Sequence, residues 1–93
     1  MLIRRQTLAP GEATHWHVDR CHRFSVVVRG QKLALEYRDG SPTRAIEVHT
    51  GMADWDAPEP KMHRAINIGA EPFEEIVTFL VDSPTMDPQP SNE

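Results

Sequence analysis

Glycine and proline interrupt this sequence so often that the stretches between them are short, and this spacing constrains the fold more than any other feature. No window of helical length holds apolar residues at a clean helical period. The uninterrupted stretches are instead β-branched, or alternate between apolar and polar residues, as strands do. We therefore predict an all-β sandwich or barrel of about eight short strands separated by turns.

The clearest pair of strands flanks a predicted hairpin turn. Residues 31–37 (QKLALEY) place apolar side chains on one face at a period of two, and the turn sequence RDGSP leads back into residues 43–48 (TRAIEV). Further strands are predicted in LIRRQTL, EATHWHV, FSVVVRG, HRAINIG and FEEIVTFLVD. Pro58 and Pro60 are predicted to exclude a regular central strand from MADWDAPEPKM, because proline has no backbone N–H to donate.

A chain of 93 residues is long enough for one hydrophobic core and too short for two. We predict one β-barrel domain over residues 1–82. Residues 83–93 carry three prolines and few apolar residues, which predicts an extended or disordered tail.

Charge and cysteine content disfavour several classes of partner. The formal net charge is −4, and no basic run exceeds Arg4-Arg5, so a nucleic-acid partner is disfavoured. No predicted strand holds an apolar run long enough to span a membrane, so no membrane partner is expected. One cysteine cannot form an internal disulfide, and no secretory leader follows Met1, so we expect a cytoplasmic protein.

Polar chemistry concentrates in HWHVDRCHRF, residues 15–24, which holds three histidines, one aspartate and the single cysteine. This segment, together with residues 51–67, resembles the two motifs of the cupin superfamily of small β-barrels. In the first motif, Gly11, His17, Asp19, Arg23 and Gly30 stand at the family spacing, but Asp19 replaces a histidine and Arg23 replaces a glutamate.

The second motif starts at Gly51. Pro58 comes one position late and Pro60 stands where glycine is usual, whereas His63 and Asn67 fall at the family interval. The likeness spans residues 8 to 82 and extends to small bacterial cupins associated with β-alanine degradation. It implies a jelly-roll barrel with an interior metal or ligand site.

Two registers of the first motif compete. In the spacing register, His17, Asp19 and His63 are the candidate metal ligands, with Arg23 beside them. In the composition register, the ligands are four histidines: His15, His17, His22 and His63. The second register shifts the motif glycines from the family spacing, so we favour the first.

Imidazole with carboxylate suits a divalent iron, zinc, manganese or nickel ion. Arg23 cannot ligate a cation and would instead hold a carboxylate, either that of Asp19 or that of an anionic ligand. Cys21 shares inward parity and Asn67 has an inward position in the family motif, so both join Arg23 as candidate ligand-binding residues. Core packing is the favoured interpretation of Trp55.

These observations support three hypotheses. The first is a metal-dependent oxygenase, isomerase or lyase acting on a small organic acid. The second is a non-catalytic cupin that binds a small anion without metal. The third is an interaction protein without an occupied pocket. A homodimer is expected in any case, because a small barrel leaves strand edges and apolar surface to cover.

Overall fold

The computed structural model describes residues 1–80, and the predicted tail at 83–93 lies outside them. Eight strands and no helix occupy the described residues, so the predicted all-β class and number of strands are confirmed. The strands are β1 (Leu2–Leu8), β2 (His17–Asp19), β3 (His22–Arg29), β4 (Lys32–Tyr37), β5 (Arg44–Glu47), β6 (Ala53–Asp56), β7 (Glu59–Asn67) and β8 (Phe73–Leu80).

The strands form two four-stranded antiparallel sheets that face each other as a jelly roll. The first sheet has the order β1-β8-β3-β6, and the second has the order β2-β7-β4-β5. Within residues 1–80 no strand pairing joins the two sheets, so the predicted closed barrel is corrected to an open sandwich. Strands β6 and β5 lie at the edges of the two sheets, as do β1 and β2.

The hydrophobic core lies at one end of the sandwich, between the sheets. Its buried side chains are Leu8, Val27, Leu33, Val48 and Phe73. Because each strand alternates its faces, residues two positions from these core residues along β1, β3, β4 and β8 have the same inward parity, and Gln6, Ser25, Leu35 and Glu75 line the same interior space. The interior therefore continues beyond the core, toward the end that holds the polar residues.

Gly30, between β3 and β4, allows the chain to pass close to this core. Its φ of +149° is one that other residues rarely adopt, and a Cβ there would lie 2.7 Å from Cδ1 of Phe73. The glycine that ends the first motif thus has a packing role at the base of the sandwich.

Two local predictions are corrected. The predicted strand EATHWHV is reduced to β2, preceded by an isolated bridge between Ala13 and Ile66. The proline-containing segment does hold strands: β6 precedes Pro58, and β7 includes Pro60. Pro60 is tolerated because it lies beyond the end of the β4 pairing and inside the irregular part of the β2 pairing, where the missing N–H breaks no regular ladder. No helix long and apolar enough to cross a membrane occurs among residues 1–80.

Candidate metal and ligand site

Three side chains with metal-ligating atoms converge at the polar end of the sandwich. His17 on β2 is paired directly with His63 on β7, and their ring centroids lie 4.6 Å apart. Two residues further along β2, Asp19 points to the same side, and one ligand atom from each of the three side chains lies within 4.8 Å of the others. This cross-strand pairing on the inner face brings together the first and second motifs, which are far apart in the sequence.

Both histidine rings are fixed in the same way by the backbone. His17 Nδ1 lies 2.6 Å from the carbonyl oxygen of His15, and His63 Nδ1 lies 2.7 Å from the carbonyl oxygen of Lys61. A ring nitrogen that faces a carbonyl oxygen must carry the proton and donate it. In neutral rings the lone pair is then on Nε2, and metal-ligating histidines in proteins are commonly held by such a bond at the other ring nitrogen.

The Asp19 carboxylate is buried and lies among three cationic or titratable groups. Its Oδ2 lies 2.9 Å from His63 Nε2 and 2.5 Å from Arg23 Nη1, and its Oδ1 lies 3.7 Å from His17 Nε2. The Arg23 contact is an ion pair rather than an aligned hydrogen bond, because the buried Nη1 has no acceptor in hydrogen-bond geometry. Arg23 Nη2 also lies 3.9 Å from Asp56.

These contacts set the protonation of the site. Burial alone would raise the pKa of Asp19, but the His63 hydrogen bond and the Arg23 charge outweigh it and lower that pKa. The Asp19 hydrogen bond raises the pKa of His63 against the opposing effect of burial. Burial lowers the pKa of His17. These directions favour an ionised Asp19, a neutral His17 and a His63 that keeps its charge to a higher pH than an ordinary histidine.

The chemistry of this donor set fits a divalent transition metal. Two Nε2 atoms and one carboxylate oxygen form a two-histidine, one-carboxylate set, which leaves coordination positions open. Arg23 works against metal binding, since its permanent positive charge lies on the same carboxylate. His17, Asp19 and His63 would hold the ion.

The three residues face a cavity of about 410 Å³ between the sheets, a size typical of small-molecule sites. Its base is the apolar core, and its sides carry Arg23 and Ser25 from β3 and Leu35 from β4. A small ligand in this space would have the histidines at one end and apolar side chains at the other.

The structure places the other candidate residues outside this group. His15 and His22 are exposed and do not line the cavity, because β2 ends at Asp19 and β3 begins at His22 with that side chain outward, so the structure does not bring the four histidines of the composition register together. Cys21 is almost fully buried but does not line the cavity. Asn67 does not line it either, because its amide is committed to the backbone of Leu8 and of residues 69–71.

Sequence reasoning missed several polar cavity residues. Arg44 on β5 and Asp54 and Asp56 on β6 line the cavity from the two edge strands. The signal available was parity, since Arg44 alternates with Ile46 and the two aspartates flank Trp55 in a short strand. The alternation in β6 was overlooked because Pro58 and Pro60 were predicted to exclude a strand from this segment.

The architecture matches solved structures of cupins. A cupin domain from Bordetella pertussis is 22% identical, with 84% of this chain and 79% of that chain covered and a TM-score of 0.69. Oxalate oxidase in complex with the substrate analogue glycolate is 22% identical, with 91% and 44% covered and a TM-score of 0.63. A polyketide cyclase from Streptomyces resistomycificus is 18% identical, with 91% and 57% covered and a TM-score of 0.62.

These likenesses show that the chain has the cupin fold, which is the fold that the two motifs predicted. The match spans less than half of the oxalate oxidase chain. No protein-family profile and no curated protein matches this sequence. The likeness to cupins of β-alanine degradation stays a prediction.

Proposed function

We propose that this protein binds one divalent iron, zinc, manganese or nickel ion through His17, Asp19 and His63 and acts on a small organic acid in the adjoining cavity. One observation carries the proposal. Both Nδ1 atoms are held by backbone carbonyls while both Nε2 atoms and the carboxylate converge on one side. The reaction classes that fit are those of an oxygenase, an isomerase or a lyase.

A bound metal would supply a Lewis acid that polarises an oxygen atom of the substrate. The protein's own residues prepare this step. His17 and His63 are oriented by their backbone bonds, and Asp19 is kept ionised by its neighbours. Apolar side chains such as Leu35 and Val77 line the same space.

A second candidate is a non-catalytic cupin that holds a small anion and no metal. The ion pair between Arg23 and Asp19 favours it, because the arginine already neutralises the carboxylate that a metal would need. In that state a protonated His63 adds a further positive charge beside Asp19, which an anion in the cavity would balance. The cavity would then serve in sensing or storage rather than in catalysis.

Metal content separates the two candidates. We would purify tag-free protein without chelator and measure bound metal by plasma mass spectrometry, in the native protein and in a variant with both His17→Ala and His63→Ala. His22→Ala is the matched control, because that histidine is exposed and outside the site. About one ion per chain, lost in the double variant and kept in the control, supports the metal proposal.

Loss of metal through misfolding must be separated from loss of ligands. The variant Asp19→His adds a third imidazole in place of the carboxylate, so it is a positive control for metal uptake by the folded site. A native protein without metal, beside an Asp19→His variant that takes up one ion, would reject the metal proposal and leave the anion-binding candidate. Circular dichroism of each variant establishes that the sheets are intact.

Other inferences from the sequence stay predictions. They are a small, anionic ligand, a cytoplasmic location, no nucleic-acid or membrane partner, and a homodimer. The glycolate in the oxalate oxidase complex supports a small-molecule ligand for this fold.

A further inference from the structure

The cavity has two arginines, and they differ in how far their charge is balanced. Arg23 is shared between two carboxylates, those of Asp19 and Asp56. A guanidinium in this position is surrounded by negative charge and has little attraction left for an incoming anion. Arg23 therefore contacts the protein's own carboxylates, which is one of the two roles predicted for it.

Arg44 is the second arginine of the cavity. It begins the edge strand β5, where it is paired with Leu35 of β4, and its side chain lines the cavity on the same face as Ile46. No carboxylate among residues 1–80 lies within ion-pair distance of it. Arg44 thus faces the cavity without an ion pair among residues 1–80, and the carboxylates of Asp54 and Glu75 line the same cavity without contacting it.

The sheet register places Arg44 at a useful distance from the histidines. His63 is paired with Tyr37, and Arg44 is paired with Leu35, two residues along the same strand β4. Two strand spacings across the sheet and two residues along it separate the Cα atoms of Arg44 and His63 by about 12 Å. No ion pair among residues 1–80 joins Arg44 to the metal-binding group, and a ligand that contacted both would span the distance between them.

We propose that Arg44 binds the carboxylate of the substrate, so that the ligand class is a small acid with a metal-binding oxygen at one end and a carboxylate at the other. This inference rests on the proposed metal site and deepens it. A guanidinium pairs with a carboxylate through two parallel N–H bonds, which fixes the orientation of the acid as well as its position. The cavity volume of about 410 Å³ admits a molecule of this size.

The test measures binding of simple acids as probes. Zinc-loaded protein would be titrated calorimetrically with the dicarboxylates malonate, succinate and glutarate, and with the monocarboxylates acetate, propionate and butyrate. Arg44→Gln removes the charge and keeps most of the side chain. Arg20→Gln is the matched control, because Arg20 is also exposed but does not line the cavity.

We expect at least one dicarboxylate to bind native protein about tenfold more tightly than the monocarboxylate of similar length. Arg44→Gln should abolish that preference with zinc content unchanged, and Arg20→Gln should keep it. Zinc-loaded native protein that shows no preference, or a preference that survives in Arg44→Gln, would reject Arg44 as the anchor while leaving the metal site intact. Protein that takes up no zinc would reject the metal proposal and this inference together.

Discussion

Nε2 of His63 lies 2.9 Å from Oδ2 of Asp19, while Nδ1 of the same ring donates to the backbone. A neutral His63 with its proton on Nδ1 would bring two lone pairs face to face at this distance. The contact is therefore stable only when a positive charge lies between the two atoms. A proton meets that need in metal-free protein, and a metal ion would meet it after binding.

In metal-free protein, the pKa values of the two paired histidines should be shifted in opposite directions. The pKa of His63 should lie above its ordinary value of 6.5 because of the Asp19 hydrogen bond. The pKa of His17 should lie below 6.5 because burial penalises its charged form. Both can be followed by NMR of the ring protons in the presence of chelator, and Asp19→Asn should lower the pKa of His63.

The same shifts determine how stability depends on pH. The contribution of His63 is fully present below pH 6.5 and is lost as pH rises through its raised pKa. The contribution of Asp19 is present above pH 3.8 and is lost as pH falls through its lowered pKa. Urea unfolding of chelated protein should therefore show a decline above pH 6.5 that His63→Gln removes. An unchanged decline in that variant would assign it to other groups.

Arg23 should have opposite effects on the metal-free and the metal-bound protein. Replacement by glutamine leaves the buried Asp19 with one cationic partner fewer, so metal-free Arg23→Gln should melt at a lower temperature. The same change removes a positive charge from the carboxylate that would ligate the metal. The rise in melting temperature caused by saturating zinc should therefore be larger in Arg23→Gln than in native protein.

Arg29→Gln is the control for this comparison, because Arg29 is paired with Glu74 outside the cavity. It should change neither the zinc-induced rise nor, to any large extent, the stability of metal-free protein. A smaller zinc effect in Arg23→Gln than in Arg29→Gln would mean that Arg23 supports the metal site rather than opposing it.

Asn67 should contribute to stability and not to ligand binding. Its side chain is completely buried, donates to the carbonyl oxygens of Leu8 and Glu71, and accepts from the N–H of Gly69. Asn67→Ala leaves buried backbone groups without partners and should reduce the free energy of unfolding by about 2–4 kcal/mol. Gln31→Ala removes one exposed hydrogen bond, which the N–H of Ala70 donates to Oε1 of Gln31, and should reduce the free energy of unfolding far less. Equal losses in urea titrations of the two variants would contradict this role.

Much of the fold could be predicted because local patterns agree with it. The alternation in residues 31–37 and the short β-branched stretches favour strands, and the structure has strands there. The turn glycines favour the breaks between those strands. Pro58 and Pro60 misled the prediction because a proline excludes only a regular ladder. Whether its missing N–H faces a partner strand depends on tertiary pairing, which local sequence does not reveal.

The candidate site also has one part that the sequence predicted and one part that it did not. Motif spacing predicted inward positions for His17, Asp19 and His63, and the structure brings these three side chains together. The balance of charge around Arg23 and Arg44 could not be predicted. It depends on which carboxylates reach each guanidinium across the sandwich, and Asp56 and Asp19 come from different sheets.

The expected homodimer has a specific candidate surface, the outer face of the first sheet. Trp55, predicted to pack in the core, is 60% exposed and is paired with Phe24, which is 40% exposed. Both Phe24 and Ile3 are paired with Thr78, so the three apolar side chains form one row across four strands. This row lies on the face of the sheet opposite to Arg23, which lines the cavity.

Such a row indicates a contact surface, because exposed apolar rows of this kind are uncommon in monomers. Light scattering after size exclusion should give a mass near twice 10.6 kDa at micromolar concentration. Trp55→Glu should shift the mass toward that of the monomer, because it would place a charge in the apolar contact. Met62→Glu, at a similarly apolar and exposed position on the second sheet, should leave it unchanged. A native monomer would reject the dimer, and a dimer insensitive to Trp55→Glu would place the contact elsewhere.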